Sequence, residues 1–338
     1  MAYSTIPKGS LYMNPKIYTG TGSSNAITGV GFQPDWTWIK RRNGTNGHNL
    51  YDVIRGVTKT INSATTAAES TSGSGLTAFG TDGFTVVSDG DVNASGGTYA
   101  SWNWLANGTG SANTAGSINS TVSANTTSGF SIVSYTGNGG STPKTVGHGL
   151  GVAPKMIIIK PRNLTYDWMT YNENVGATKG MCLNTTQAPF TSSNFNDTAP
   201  TTSVFSVKNN ATNETNGTYI AYCFADVQGF SKMGSYTGNA NANGPFVYTG
   251  FKPSFVIIKR TNLANDWLTQ DNKRYPINET VAKTLKPNSA LAEGDTGNLD
   301  ILSNGFKLRS TGTNTNASGG TYIYMAFAEN PFVATSGT

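Results

Sequence analysis

Charge is scarce in this sequence. Asp, Glu, Lys and Arg make up only 12% of its 338 residues, which excludes long solvated helices, whose outer faces need those side chains. Net charge is +5, and the longest basic run is Lys40-Arg41-Arg42. That leaves no phosphate-tracking groove and excludes a nucleic-acid partner. Cysteine is nearly absent. Cys182 and Cys223 are too few for a disulfide framework; they read as two buried thiols acting as small hydrophobes, with a single bridge as the alternative. No apolar stretch approaches the ~18 residues that a membrane span needs, so no membrane partner is expected. The start, from Met1 to Gly9, shows no basic stretch followed by an apolar one, and a soluble protein made in a cytoplasm follows as the expectation.

Turn formers and aromatics are what the chain has in quantity. Ser, Thr, Asn and 40 Gly fill the gaps between apolar segments, a composition that favours turns and exposed strands over helices. Fifteen Phe, fifteen Tyr and six Trp supply the apolar surface for a core. The most informative pattern is an internal repeat. Tyr-Thr-Gly recurs at Tyr18, Tyr135 and Tyr236, and Gly-x-x-Pro ends at Pro34, Pro154 and Pro253. A lysine stands six residues after each of those prolines, at Lys40, Lys160 and Lys259. Asp-Trp follows at Trp168 and Trp267, where the first copy has His48. A Phe strand comes next, at Phe84, Phe205 and Phe306. Each copy closes on Gly-Thr-Tyr with an aromatic five residues beyond the Tyr: Trp104, Phe224 and Phe327.

The repeat divides the chain into units at 1–106, 129–228 and 229–338. Residues 107–128, almost wholly Gly, Ser, Ala, Thr and Asn, read as a flexible linker that leaves the first unit the most independent. Short β-branched runs such as Met156-Ile157-Ile158-Ile159 predict central strands buried on both faces. The closing segments alternate, with Trp102 and Trp104, Tyr222 and Phe224, and Met325 and Phe327 on one face. Helix signals are confined to Asn278–Leu285 and Leu50–Val57. An all-β fold of three tandem β-sandwich units, jelly-roll or lectin-like, is therefore expected. The closing aromatics are expected to be buried, each in the core of its own unit.

No residues converge on a reaction. His48 and His148 lie in different units, and His148 sits in the turn Gly147–Gly151. Asp89-Gly90-Asp91-Val92-Asn93 begins like a calcium loop, but Ala94 and Ala100 stand where the loop glycine and the bidentate Glu belong. A plain turn, no metal and no cofactor are expected. Asp167-Trp168 and Asp266-Trp267 read as capped turns with packed indoles. In the other reading Trp168 and Trp267 are platforms on which a sugar ring stacks.

The segments Gly29–Lys40 and Leu50–Gly56, and the ending Asn316–Glu329, resemble a family of repeat-containing structural proteins of tailed bacteriophages, common in phages of marine bacteria such as cyanophages and pelagiphages. The second unit departs most, with Asn213-Glu214-Thr215-Asn216 in place of Asn-Ala-Ser-Gly. The resemblance implies lectin-like or jelly-roll sandwich units and carries over no catalytic residue. It leads to the expectation of a non-enzymatic virion protein, made in the host cytoplasm. It would sit on the particle surface as a capsid decoration or tail appendage, alone or as a homo-oligomer, and bind other virion proteins. The rival expectation is a carbohydrate-binding adhesin or tail fibre protein that attaches the particle to a host surface glycan. The segment before the first repeat landmark has no counterpart in the other units, so Tyr3, Ile6, Pro7, Leu11 and Tyr12 are the expected virion anchor.

Overall fold

In a computed structural model, residues 4–140, 142–274 and 283–331 are described. The chain is all-β, with 43% strand and 3% helix. Each unit has a large antiparallel sheet built in the same order. An opening strand (Met13–Thr19, Phe130–Thr136, Ser231–Thr237) pairs with the closing strand (Thr98–Trp104, Thr218–Phe224, Thr321–Pro331). The closing strand pairs with the central strand (Trp36–Arg41, Met156–Pro161, Phe251–Arg260), and that with an outer strand (Asn49–Asp52, Met169–Asn172, Trp267–Asp271). A small sheet covers one face: Asn25–Ile27, Gly83–Val86 and Leu76–Gly80 in the first unit, Lys144–Gly147 with Val204–Val207 in the second, and Phe246–Tyr248, Gly305–Leu308 and Leu299–Leu302 in the third.

The repeated motifs now have physical causes. The Tyr of Tyr-Thr-Gly stacks on the Tyr of Gly-Thr-Tyr across the opening and closing strands, with centroids 5.0, 4.9 and 4.9 Å apart in the three units. Their hydroxyls lock the turn that precedes the closing strand. Tyr18 donates to the Val92 carbonyl and Tyr99 to that of Gly90, while Tyr99 also accepts from the Ala94 N–H. The side chains of Asn93, Asn213 and Asn316 accept the backbone N–H of Thr21, Asn138 and Asn239. The glycine of Tyr-Thr-Gly is required because a Cβ at Gly20, Gly137 or Gly238 would strike the carbonyl oxygen of Ala94, Glu214 or Ala317.

The face of the closing strand that carries the large aromatics does not pack within its own unit, as the sequence reading expected. It turns inward to a single core shared by all three units. Trp104 lies 6.5 Å from Phe224 and 5.7 Å from Phe327, and those two rings lie 5.9 Å apart. Trp36 of the first unit stacks on Tyr222 of the second at 4.3 Å. The small sheets cover the opposite faces, where separate clusters around Tyr51 and Tyr99, and around Tyr171 and Tyr219, fill the first and second units.

Two further expectations are corrected. Residues 107–128 are no flexible linker: Ser111–Asn113 and Ser120–Asn125 form strands, and the latter pairs along the opening strand of the second unit from Asn125↔Phe130 to Ser120↔Tyr135. Val122 and Ile118 supply the apolar contacts that composition alone hid. The first unit is correspondingly no more independent than the others. Leu50–Val57 is a strand followed by a turn, because Asp52 accepts the N–H groups of Ile54 and Arg55. Most of Asn278–Leu285 lies outside the described residues; Leu285 itself bridges to Thr269.

Candidate functional site

The residues singled out from sequence mostly serve cohesion between units. Trp168 and Trp267 are 0% and 1% exposed, so neither presents a face to a sugar. Each indole N–H reaches into the preceding unit, Trp168 to the Asn62 carbonyl at 2.9 Å and Trp267 to that of Cys182 at 3.0 Å. Lys160 and Lys259 follow the same rule. Buried at the ends of their strands, their ammonium groups donate to the carbonyls of Thr66 and Thr186 in the preceding unit, besides those of their own loops. Lys40 donates to the Arg41 and Gly44 carbonyls. Burial pushes all three lysines down to about 8.

The expected anchor divides. Ile6 is fully buried in the shared core and Tyr12 packs edge-on against Phe230. These two belong to the fold. Pro7 and Leu11 are exposed, and Tyr3 lies outside the described residues. His48 is buried, with Nδ1 accepting the Trp38 indole N–H at 2.8 Å. His148 Nδ1 accepts the Leu150 N–H. Cys182 and Cys223 are free, buried thiols that burial pushes up to about 12. Asp89 caps a four-residue turn of helix by accepting the Asp91 N–H. Among the described residues no group of three or more His, Cys, Asp or Glu is placed to share a metal ion. No described helix is long and apolar enough to cross a membrane.

Sequence reading missed the charged seams. Arg55 pairs with Asp52 at 2.5 Å and with Glu69 at 3.4 Å, and Glu69 binds Arg162 of the second unit at 2.9 Å. Tyr222 of the second unit donates to Asp52. The first and third units meet through an equivalent set: Arg274 with Asp271 and Glu293, Glu293 with Arg42, and the Trp102 indole donating to Asp271. Burial opposes the Arg55 charge, yet Asp52, Tyr222 and Glu69 hold its pKa above the ordinary value. Burial likewise opposes the Asp271 carboxylate, and Arg274 keeps it below the usual range. The strand registers place Asn172, Val175, Thr261 and Met325 at the corresponding positions of the third seam, so that seam lacks this set of ion pairs. The signal was present in the repeat: Asp-x-x-Arg at Asp52 and Asp271, against Asn172 and Val175 in the second unit.

The third unit carries an exposed aromatic face. Phe246 and Tyr248 are 45% and 49% exposed on one face of their strand. With Lys232, Gly234, Tyr236 and Tyr324 they line a cavity of about 280 Å³. A neighbouring hollow of about 270 Å³ adds Asp226, Gln228 and Thr249. Lys232 lies 5.8 Å from the Tyr248 ring centre. Burial raises the Tyr324 hydroxyl above its ordinary value, and the Asp226 carboxylate adds to the effect.

Fold and seams define a class: an all-β protein in which three like units close on one core through cyclic contacts. The chain belongs to the family described as a domain of unknown function, DUF7483, whose model matches residues 8–331 and so takes in all three units at once. No curated protein matches the chain.

Proposed function

We propose that the chain is a non-enzymatic structural protein on the surface of a tailed-bacteriophage particle, a compact capsid decoration or tail appendage that binds other virion proteins. One observation supports the reading. Buried Lys160, Lys259, Trp168 and Trp267, the bonds from Tyr222 to Asp52 and from Trp102 to Asp271, and the Arg162–Glu69 and Arg42–Glu293 pairs join unit to unit, the design of a block that holds its shape without a cofactor. The resemblance of Gly29–Lys40, Leu50–Gly56 and Asn316–Glu329 to virion proteins supplies the setting. The adhesin reading has lost the two indoles that were to carry it.

The test is to purify particles of a phage that encodes the chain, measure its copy number by quantitative mass spectrometry and locate it by particle reconstruction. A fixed stoichiometry with density at the surface is expected. Absence from purified particles overturns the proposal.

A further inference from the structure

We propose that the open edge of the opening strand of the third unit, Ser231–Thr237, takes an extended strand from a partner protein, which adds antiparallel to the sheet and seats one apolar side chain in the cavity beside Gly234. The inference does not rest on the virion reading, since it follows from comparing three equivalent edges in one chain.

The second unit shows the filled state. Its opening strand carries the additional strand Ser120–Asn125, with Thr121 opposite Ser134, Val122 opposite Val133 and Ser123 opposite Ile132. Val122 is 5% exposed and packs in the core of that unit. The first unit shows a blocked state. The bonds from Gly20 N–H to the Gly97 carbonyl and from Leu105 N–H to the Tyr12 carbonyl fix the parity of its ladder, so odd-numbered residues of the opening strand point outward. One of these is Pro15, which has no N–H to offer, a common device for protecting an edge.

The third unit has neither device. Bonds from Gly238 N–H to the Gly320 carbonyl and from Ala328 N–H to the Phe230 carbonyl give the same parity, so the backbone N–H and C=O groups of Ser231, Met233, Ser235 and Thr237 point away from the closing strand. Asp226 takes the Met233 N–H and Val227 pairs with Ser231, which closes one end. Ser235 and Thr237 are exposed, and no strand among the described residues lies beside them. By register, Gly234 stands where Val133 stands in the second unit, and Tyr324 where Ala221 stands. The cavity beside Gly234 therefore occupies the place that Val122 fills in the second unit. Its walls include Phe246 and Tyr248, where the second unit has Thr145 and Gly147.

The occupant follows from these features. Backbone groups at Ser235 and Thr237 bind any extended chain, as in strand addition generally. The aromatic walls select one large apolar residue opposite Gly234, and the flanking positions, held by Thr121 and Ser123 in the second unit, suit small polar residues.

The experiment uses the full chain and a synthetic peptide with the sequence of residues 117–126, together with a second peptide carrying Phe at the position of Val122. Amide hydrogen exchange is followed residue by residue. Saturating peptide is expected to slow exchange at Ser235 and Thr237 at least tenfold, with the Phe peptide binding more tightly. Ser235→Pro removes an outward N–H without touching the ladder to the closing strand, and should abolish the protection. The exposed pair Phe246→Ala/Tyr248→Ala should weaken binding at least tenfold and decides the matter if the proline variant melts early. Unprotected amides at saturating peptide, or full affinity in both variants, overturn the proposal. Protection of the same amides in a concentration-dependent dimer of the protein alone would assign the edge to a second copy, and that also overturns it.

Discussion

The phenol of Tyr222, in the second unit, donates to Asp52 of the first at 2.8 Å, and both are fully buried. Asp52 also holds Arg55, so the bond is one strut of a charged seam. Asp52→Ala strips Arg55 of its nearest carboxylate inside the protein. Such a break is expected to cost about 3–5 kcal/mol. The triple variant Asp52→Asn/Arg55→Val/Tyr222→Met installs the neutral side chains found at the third seam and should cost less than the single change. Urea unfolding of both variants checks this; a triple variant weaker than the single one would show that the seams are not interchangeable.

The shared core predicts one unfolding transition for the whole chain. Trp104 touches Phe224 and Phe327 of the other two units. Trp104→Ala should therefore lower the stability of all three together, by about 3–5 kcal/mol. Calorimetry should give a van't Hoff enthalpy close to the calorimetric one for both wild type and variant. Separate transitions, with only one displaced by the substitution, would show that the units fold apart.

The closing and central strands were legible because each depends on local pattern: alternation on the closing strand, β-branched runs in the central one, and Gly, Pro and Asn at the turns. The buried aromatic face was legible too, but not what it faced. Trp104, Phe224 and Phe327 would look the same in sequence whether they closed three cores or one. Trp168 left two readings open for a related reason: an indole that packs between units and one that stacks on a sugar share the same residue type. The strand Ser120–Asn125 was hidden by its Ser and Asn content, since its pairing along Phe130–Thr136 comes from tertiary context. The charged seams were readable in principle, because Asp-x-x-Arg recurs in two units and fails in the third.

Ile6 sets a third expectation. It is fully buried among residues of the shared core, so removing residues 2–7 strips the core of a side chain as well as shortening the terminus. Ile6→Ala should cost about 2–5 kcal/mol, read from chemical denaturation. Pro7→Ala, at an exposed position, should leave stability within about 0.5 kcal/mol of wild type. Equal stability of the Ile6 variant and wild type would return the segment to the surface role first expected of it.

The last prediction concerns acid. His48 Nδ1 accepts the Trp38 indole N–H, an arrangement open only to the neutral ring. Burial, and after it the nearby Lys40 charge, holds its pKa well below the ordinary value. His148 is lowered as well, chiefly by burial. A histidine depressed on folding binds its proton in the unfolded chain first, at about pH 6.5. Stability is therefore full above that value and falls as the pH drops below it, because the unfolded state then carries more protons. The other units solve the same position without a titrating group: Ile158 with Trp168, and Ile257 with Trp267, stand where Trp38 and His48 stand. The double variant Trp38→Ile/His48→Trp should thus fold, keep the part of the acid sensitivity that belongs to His148, and reduce the slope of stability against pH by up to about one proton between pH 6.5 and 5. Urea titrations at stepped pH measure that slope directly. An unchanged slope in a folded double variant would mean that His48 does not titrate on unfolding, and that the acid sensitivity of the fold lies in His148 and the carboxylates instead.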